Sequence, residues 1–96
     1  MIIQLKKFGV TLTSRQLGKE ALAAFNPSLF GVGEKETIEA DFDGVNTFSP
    51  SWGDEFLTPL VKKYSERFIL KPSGNPSVIA TLKLLEEVNG YRFNIK

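Results

Sequence analysis

Apolar positions along the chain fall into short runs that switch between a period of two and a helical period, and this switching predicts alternating strands and helices. Residues 2–5 and 8–12 are rich in Ile, Leu and Val and are broken by Lys6-Lys7 and Gly9, which predicts an opening pair of strand segments. Thr13-Ser14-Arg15-Gln16 has the form of a capping box, with the Thr13 hydroxyl accepting from the third helical N–H and Gln16 reaching back. Leu17, Ala21, Leu22, Ala24 and Phe25 then share one helical face, and Asn26-Pro27 is expected to end or bend that helix. Residues 28–36 carry two glycines and polar residues and read as a loop. Ile38, Ala40 and Phe42 alternate with acidic residues, a strand pattern closed by Asp43-Gly44.

Ser49-Pro50 predicts the start of a second helix. Serine suits the cap, and proline suits the first helical position, where its missing N–H is no loss. Asp54 and Glu55 fall early in this helix and complement its positive end. Phe56, Leu57, Leu60, Val61 and Tyr64 continue an apolar stripe, with Pro59 expected to kink or split it. Arg67-Phe68-Ile69-Leu70-Lys71 is a nearly continuous apolar run, as in a buried central strand. Asn75-Pro76 repeats the cap-plus-proline signal. Val78, Ile79, Leu82, Leu85 and Val88 define a third helix that stops at Asn89-Gly90. Tyr91, Phe93 and Ile95 alternate with polar residues and suggest a last edge strand.

Ninety-six residues make one domain, 1–96, with no room for separate cofactor and substrate domains. Twelve basic residues against eleven acidic ones leave a net charge of +1, and the basic residues are scattered. That balance argues against a nucleic-acid or anionic-membrane partner. The absence of cysteine and histidine removes zinc fingers, disulfides, thiol chemistry and imidazole bases from consideration, so no cofactor is expected. Without cysteine, and without the apolar stretch of a signal peptide near Met1, the chain reads as cytoplasmic.

Asp41-Phe42-Asp43-Gly44-Val45, followed by Phe48-Ser49-Pro50-Ser51-Trp52-Gly53-Asp54-Glu55-Phe56-Leu57, resembles the STAS-like domain family of unknown function. Ser14-Arg15 is similar to the start of that family's first helix, and Asn75-Pro76-Ser77-Val78 to its Asn-led final helix. The resemblance implies an α/β STAS-like fold, with a mixed four- or five-stranded sheet and about three helices. It implies a regulatory protein-interaction module, not an enzyme. STAS domains proper include anti-sigma factor antagonists, in which a serine at the start of a helix is phosphorylated by a partner ATPase of the GHKL kinase type. Aligned from Val45, that acceptor position falls on Ser51. Ser49 stands where the motif has aspartate, and Trp52 where it has glycine.

The partner-binding and regulatory candidates are therefore Ser49, Ser51, Trp52, Asp54 and Glu55. Each has a plainer reading. Ser49 suits a helix cap, and Ser51 can simply occupy the first turn. Asp54 and Glu55 serve the helix dipole. Trp52 can pack in the core or, if exposed, anchor an interface. Arg15 is either solvated or an anion contact. The alternative function is a small phospho-receiver or metal-dependent phosphoryl-transfer protein using Asp41 or Asp43, with Lys71 nearby. Phe30-Gly31-Val32-Gly33 lacks the spacing of a phosphate loop, and Ser73-Gly74-Asn75 reads as a turn plus cap.

Overall fold

The computed structural model describes all residues, 1–96. It has six short strands: β1 (Ile2–Gln4), β2 (Thr11–Leu12), β3 (Ile38–Asp41), β4 (Thr47–Phe48), β5 (Phe68–Leu70) and β6 (Asn94–Ile95). Three helices connect them: α1 (Arg15–Leu29), α2 (Pro50–Tyr64) and α3 (Pro76–Asn89). The main sheet has the order β1-β3-β5-β6, and β2 pairs with β4 in a separate two-stranded sheet. The α/β class and the three helices match the sequence pattern. The mixed sheet does not, because every pairing in both sheets is parallel. Successive strands of the main sheet are joined through a helix, and such a crossover returns the chain parallel to where it left.

Strand order advances in one direction, so right-handed crossovers place all three helices on the same face of the sheet. Burial agrees. Ile3, Ile38, Ala40, Phe68 and Leu70 point into the core, while Ile2, Glu39, Asp41 and Ile69 alternate to the other face, which no helix covers. The core lies between sheet and helices and is dense in aromatic rings. Trp52 stacks on Phe56 at 4.9 Å between centroids, Phe48 lies edge-on to Trp52, and Phe8 closes over Phe56 at 5.1 Å.

Several boundaries differ from the sequence pattern. The break at Lys6-Lys7 is a 3-10 turn, Leu5–Phe8, that takes in the edges of both opening segments, and of residues 8–12 only Thr11–Leu12 are extended. Ser14, not Thr13, caps α1, its hydroxyl oxygen accepting from the Leu17 N–H at 3.2 Å. Leu17 and Ala24, placed on the buried face by spacing, are exposed, and the face that packs is Gly18, Ala21, Phe25 and Leu29. The helix also runs through Pro27 for two more residues. Pro59 leaves α2 unbroken, because it stands on the exposed flank, where an unpaired carbonyl can be hydrated. On α3, Ile79 and Val88 are exposed while Val78, Leu82 and Leu85 pack inward. Gly44 closes the turn after β3 at φ +85°, a left-handed backbone that calls for glycine, while the flexible Lys6 side chain near it could move aside.

No helix is long and apolar enough to cross a membrane.

Candidate functional site

In a parallel sheet the carboxyl ends of the strands share one rim, and the helices that follow begin there. The caps Ser14, Ser49 and Asn75 consequently gather near the segment 44–49. Ser49 does two jobs: its hydroxyl donates to the Thr13 carbonyl at 2.8 Å and accepts from the Trp52 N–H at 3.4 Å. The start of α2 is thereby tied to the start of α1. On the other side, Asn75 accepts from the Ser77 N–H at 2.8 Å. Its amide nitrogen donates to the carbonyls of Val45 and Asn46 at 2.9 and 3.0 Å. Ser77 exchanges hydrogen bonds with the backbone of Phe48 in both directions, and Thr81 donates to the Phe48 carbonyl at 2.6 Å. A two-residue strand such as β4 is weak alone. Here it is held by β2 on one side and by α3 on the other.

One turn into α2, a polar cluster spans all three helices. The Arg15 guanidinium donates to Glu55 at 2.9 Å and to Asp54 at 3.4 Å. The other Asp54 oxygen accepts from Thr58 at 2.9 Å and from Asn89 at 3.2 Å. The Thr58 hydroxyl also meets the Tyr91 phenol at 2.6 Å. Partial burial pushes the Asp54 carboxyl upward, but donation from Thr58, Arg15 and Asn89 outweighs it and holds the group below the usual aspartate range. Burial pushes the Tyr91 phenol up, assisted by the charges of Asp54 and Glu86, against the lowering effect of Thr58.

The sequence-predicted residues separate clearly in this setting. Ser49 is the cap of α2. Trp52 is 1 % exposed and belongs to the core, so it is not a surface anchor. Asp54 and Glu55 are partly exposed and are joined by Arg15. Ser51, at the second position of α2, is partly exposed and left out of the hydrogen bonds described above. Thr58, Asn89 and Tyr91 escaped sequence reasoning. Thr58 does sit four residues after Asp54, a spacing that brings two side chains together on a helix, but the partners on α3 and beyond arrive only through the fold.

Asp41 and Asp43 do not share this cluster. The Asp41 carboxylate accepts the Asp43 N–H at 3.0 Å, closing the turn that ends β3. Lys71 follows β5 and extends its ladder, its N–H donating to the Ala40 carbonyl at 2.9 Å. No group of three or more acidic, histidine or cysteine side chains is arranged to hold a metal ion. Lys71 itself lines a concavity of about 240 Å³ with Pro72, Ser73 and one face of α3, and neither aspartate takes part in it.

No family model matches the chain, and no curated protein and no solved structure matches it either.

Proposed function

We propose that this chain is a regulatory protein-interaction module that meets its partner through the rim formed by Arg15 and the start of α2. The observation that carries the reading is the joining of separate sequence motifs: Ser14-Arg15 with Asp54-Glu55, and Asn75 with the turn after Phe42-Asp43-Gly44-Val45. Residues far apart in the chain are used to make this rim rigid. A pre-shaped surface binds without a further ordering cost.

The contact residues in this reading are Arg15, Pro50, Ser51, Asp54 and Glu55, all at least partly exposed. Trp52 supports them from beneath and touches no partner. The STAS-like resemblance supplies the partner class, an ATPase of the GHKL kinase type, and the switch, phosphorylation of Ser51. In that transfer the Ser51 oxygen bonds the γ-phosphorus of ATP as the bond to ADP breaks, and the hydroxyl proton passes to a base on the kinase. The added charge of about −1.5 to −2 would repel an acidic partner surface.

The test is affinity capture from the native host with wild type, Ser51→Glu and Ser51→Ala chains, followed by mass spectrometry and by titration of the purified candidate. A GHKL-type ATPase should be retained by wild type and Ser51→Ala and released by Ser51→Glu. Equal binding of all three chains would remove the switch, and binding of no ATPase by any of them would remove the partner class.

A further inference from the structure

Residues three and four positions apart on a helix lie under one another, and their side chains lean toward the helix N-terminus. Asp54 and Glu55 stand three and four positions after Ser51. A group bonded to both of them therefore lies directly beneath Ser51. Arg15 is that group, at 3.4 Å from Asp54 and 2.9 Å from Glu55. The backbone confirms the approach from the side of α1, since the carbonyl of Thr13 is tied to Ser49 two residues before Ser51. The guanidinium side chain thus leaves α1 beside the first turn of α2 and ends one turn below Ser51.

We infer that Arg15 is a built-in receptor for a phosphate on Ser51, and that phosphorylation transfers the guanidinium from Asp54 and Glu55 to the phosphate. This rests on the proposed regulation at Ser51 and gives it a mechanism. A phosphate dianion competes well for a planar, bidentate donor. Arg15 does not have to unfold anything to answer it, because its side chain is exposed and is held by the two carboxylates alone. Asp54 keeps Thr58 and Asn89 as donors after the exchange, so the cluster beneath it survives. Glu55 keeps no such partner and turns outward. Modification therefore changes the rim in two ways together: it adds the phosphate, and it frees a carboxylate that had been neutralised. The local charge of Arg15, Asp54 and Glu55 moves from about −1 to about −3 once the phosphate is counted.

The decisive experiment uses the full chain with phosphoserine encoded genetically at position 51, which needs no kinase. Phosphorus NMR follows the second ionisation of the phosphate in the wild-type, Arg15→Gln and Arg15→Lys backgrounds, with an amide spectrum confirming that each folds. The phosphate should titrate about one pH unit lower in the wild-type background than in Arg15→Gln, with Arg15→Lys in between. Carbon NMR of wild type should show the Glu55 carboxylate losing its contact with Arg15 on phosphorylation. An ionisation that is the same in the wild-type and Arg15→Gln backgrounds would overturn the receptor. Failure of the partner reading looks different: Arg15 would still shift the phosphate while no ATPase distinguished the two forms. Release of the ATPase by a phosphate that ignores Arg15 would sink the receptor and leave the partner reading standing.

Discussion

A β-carbon placed on Gly18 would lie 2.7 Å from the Trp52 carbonyl oxygen and 3.0 Å from the Trp52 α-carbon. Helices α1 and α2 therefore approach backbone to backbone at this crossing, and the neighbouring atoms cannot rotate away. Gly18→Ala has to push the helices apart at the point where Ser49 and Arg15 also join them. Overpacking of this kind costs about 1–3 kcal/mol, against roughly 1 kcal/mol gained by replacing glycine inside a helix. We expect a net loss of up to about 2 kcal/mol and a lower urea midpoint. An unchanged midpoint would mean that α1 and α2 can separate freely here.

Trp52 lies with its ring on Phe56 and against Phe48, within a core that a 96-residue chain can ill spare. Trp52→Ala should remove about 3–5 kcal/mol, a large share of the stability of a domain this size. Trp52→Phe should be much milder, since it keeps the stack with Phe56. Native fluorescence should be blue-shifted and poorly quenched by iodide. If Trp52→Ala folded normally and lost only partner binding, the indole would have to sit at the surface.

Thr58 is the joint between Asp54 and Tyr91, and its hydroxyl serves both at 2.9 and 2.6 Å. Thr58→Val keeps the shape and removes the hydroxyl, leaving the phenol and one carboxylate oxygen each short of a partner. The expected loss is about 1–2 kcal/mol by chemical denaturation. The Tyr91 phenol already lies above its ordinary value, burial being the main cause, and Thr58, with a smaller effect from Asn89, pulls it back. Its ionisation should therefore rise further in Thr58→Val, as read by ultraviolet titration with Tyr64→Phe removing the only other tyrosine signal. A fall would show that the bond the phenol donates to Thr58, whose own proton goes to Asp54, holds the neutral phenol more strongly than Thr58 favours the phenolate.

The sequence carries its helix starts plainly, because caps are local chemistry. Ser49-Pro50 and Asn75-Pro76 state their roles within two residues, and both helices begin there. It carries the strands less well. Leu5 and Phe8 stand at the edges of strand-like segments yet fall in a 3-10 turn, where Phe8 packs against Phe25, Trp52 and Phe56. Spacing on α1 and α3 is ambiguous for the same reason. Gly18 packs where Leu17 was expected, because close approach to α2 admits only a residue without a side chain. At the rim, Ser49, Ser51, Asp54 and Glu55 are legible from the pattern. The role of Trp52 is not, because a tryptophan in a first helical turn fits either core or surface until the sheet is placed beneath it. Arg15 is legible as a residue but not as a partner of Asp54 and Glu55, a contact spanning about forty positions.

Asp54 makes stability depend on acid, and the direction follows from its environment. Its own partial burial favours the neutral form, yet Thr58, Arg15 and Asn89 together hold the folded-state value below the ordinary one. A carboxyl group lowered by folding contributes stability that is fully present above its unfolded value, about 3.9. That contribution is lost as pH falls through the lower folded-state value, when the group takes up a proton and its donors lose a charged acceptor. Glu36 acts in the same sense, lowered chiefly by the Gly33 N–H and by the N-terminal ammonium. Thermal melts between pH 2 and 6 should show the wild-type midpoint falling through this range, with a shallower fall in Asp54→Asn and the shallowest in Asp54→Asn/Glu36→Gln. Arg15→Gln should move the Asp54 titration upward, because it removes one of the three donors and the neighbouring positive charge. An Asp54 that titrates at or above the ordinary value in wild type would mean that burial outweighs its three donors, and that the cluster holding the rim together is weaker than its distances imply.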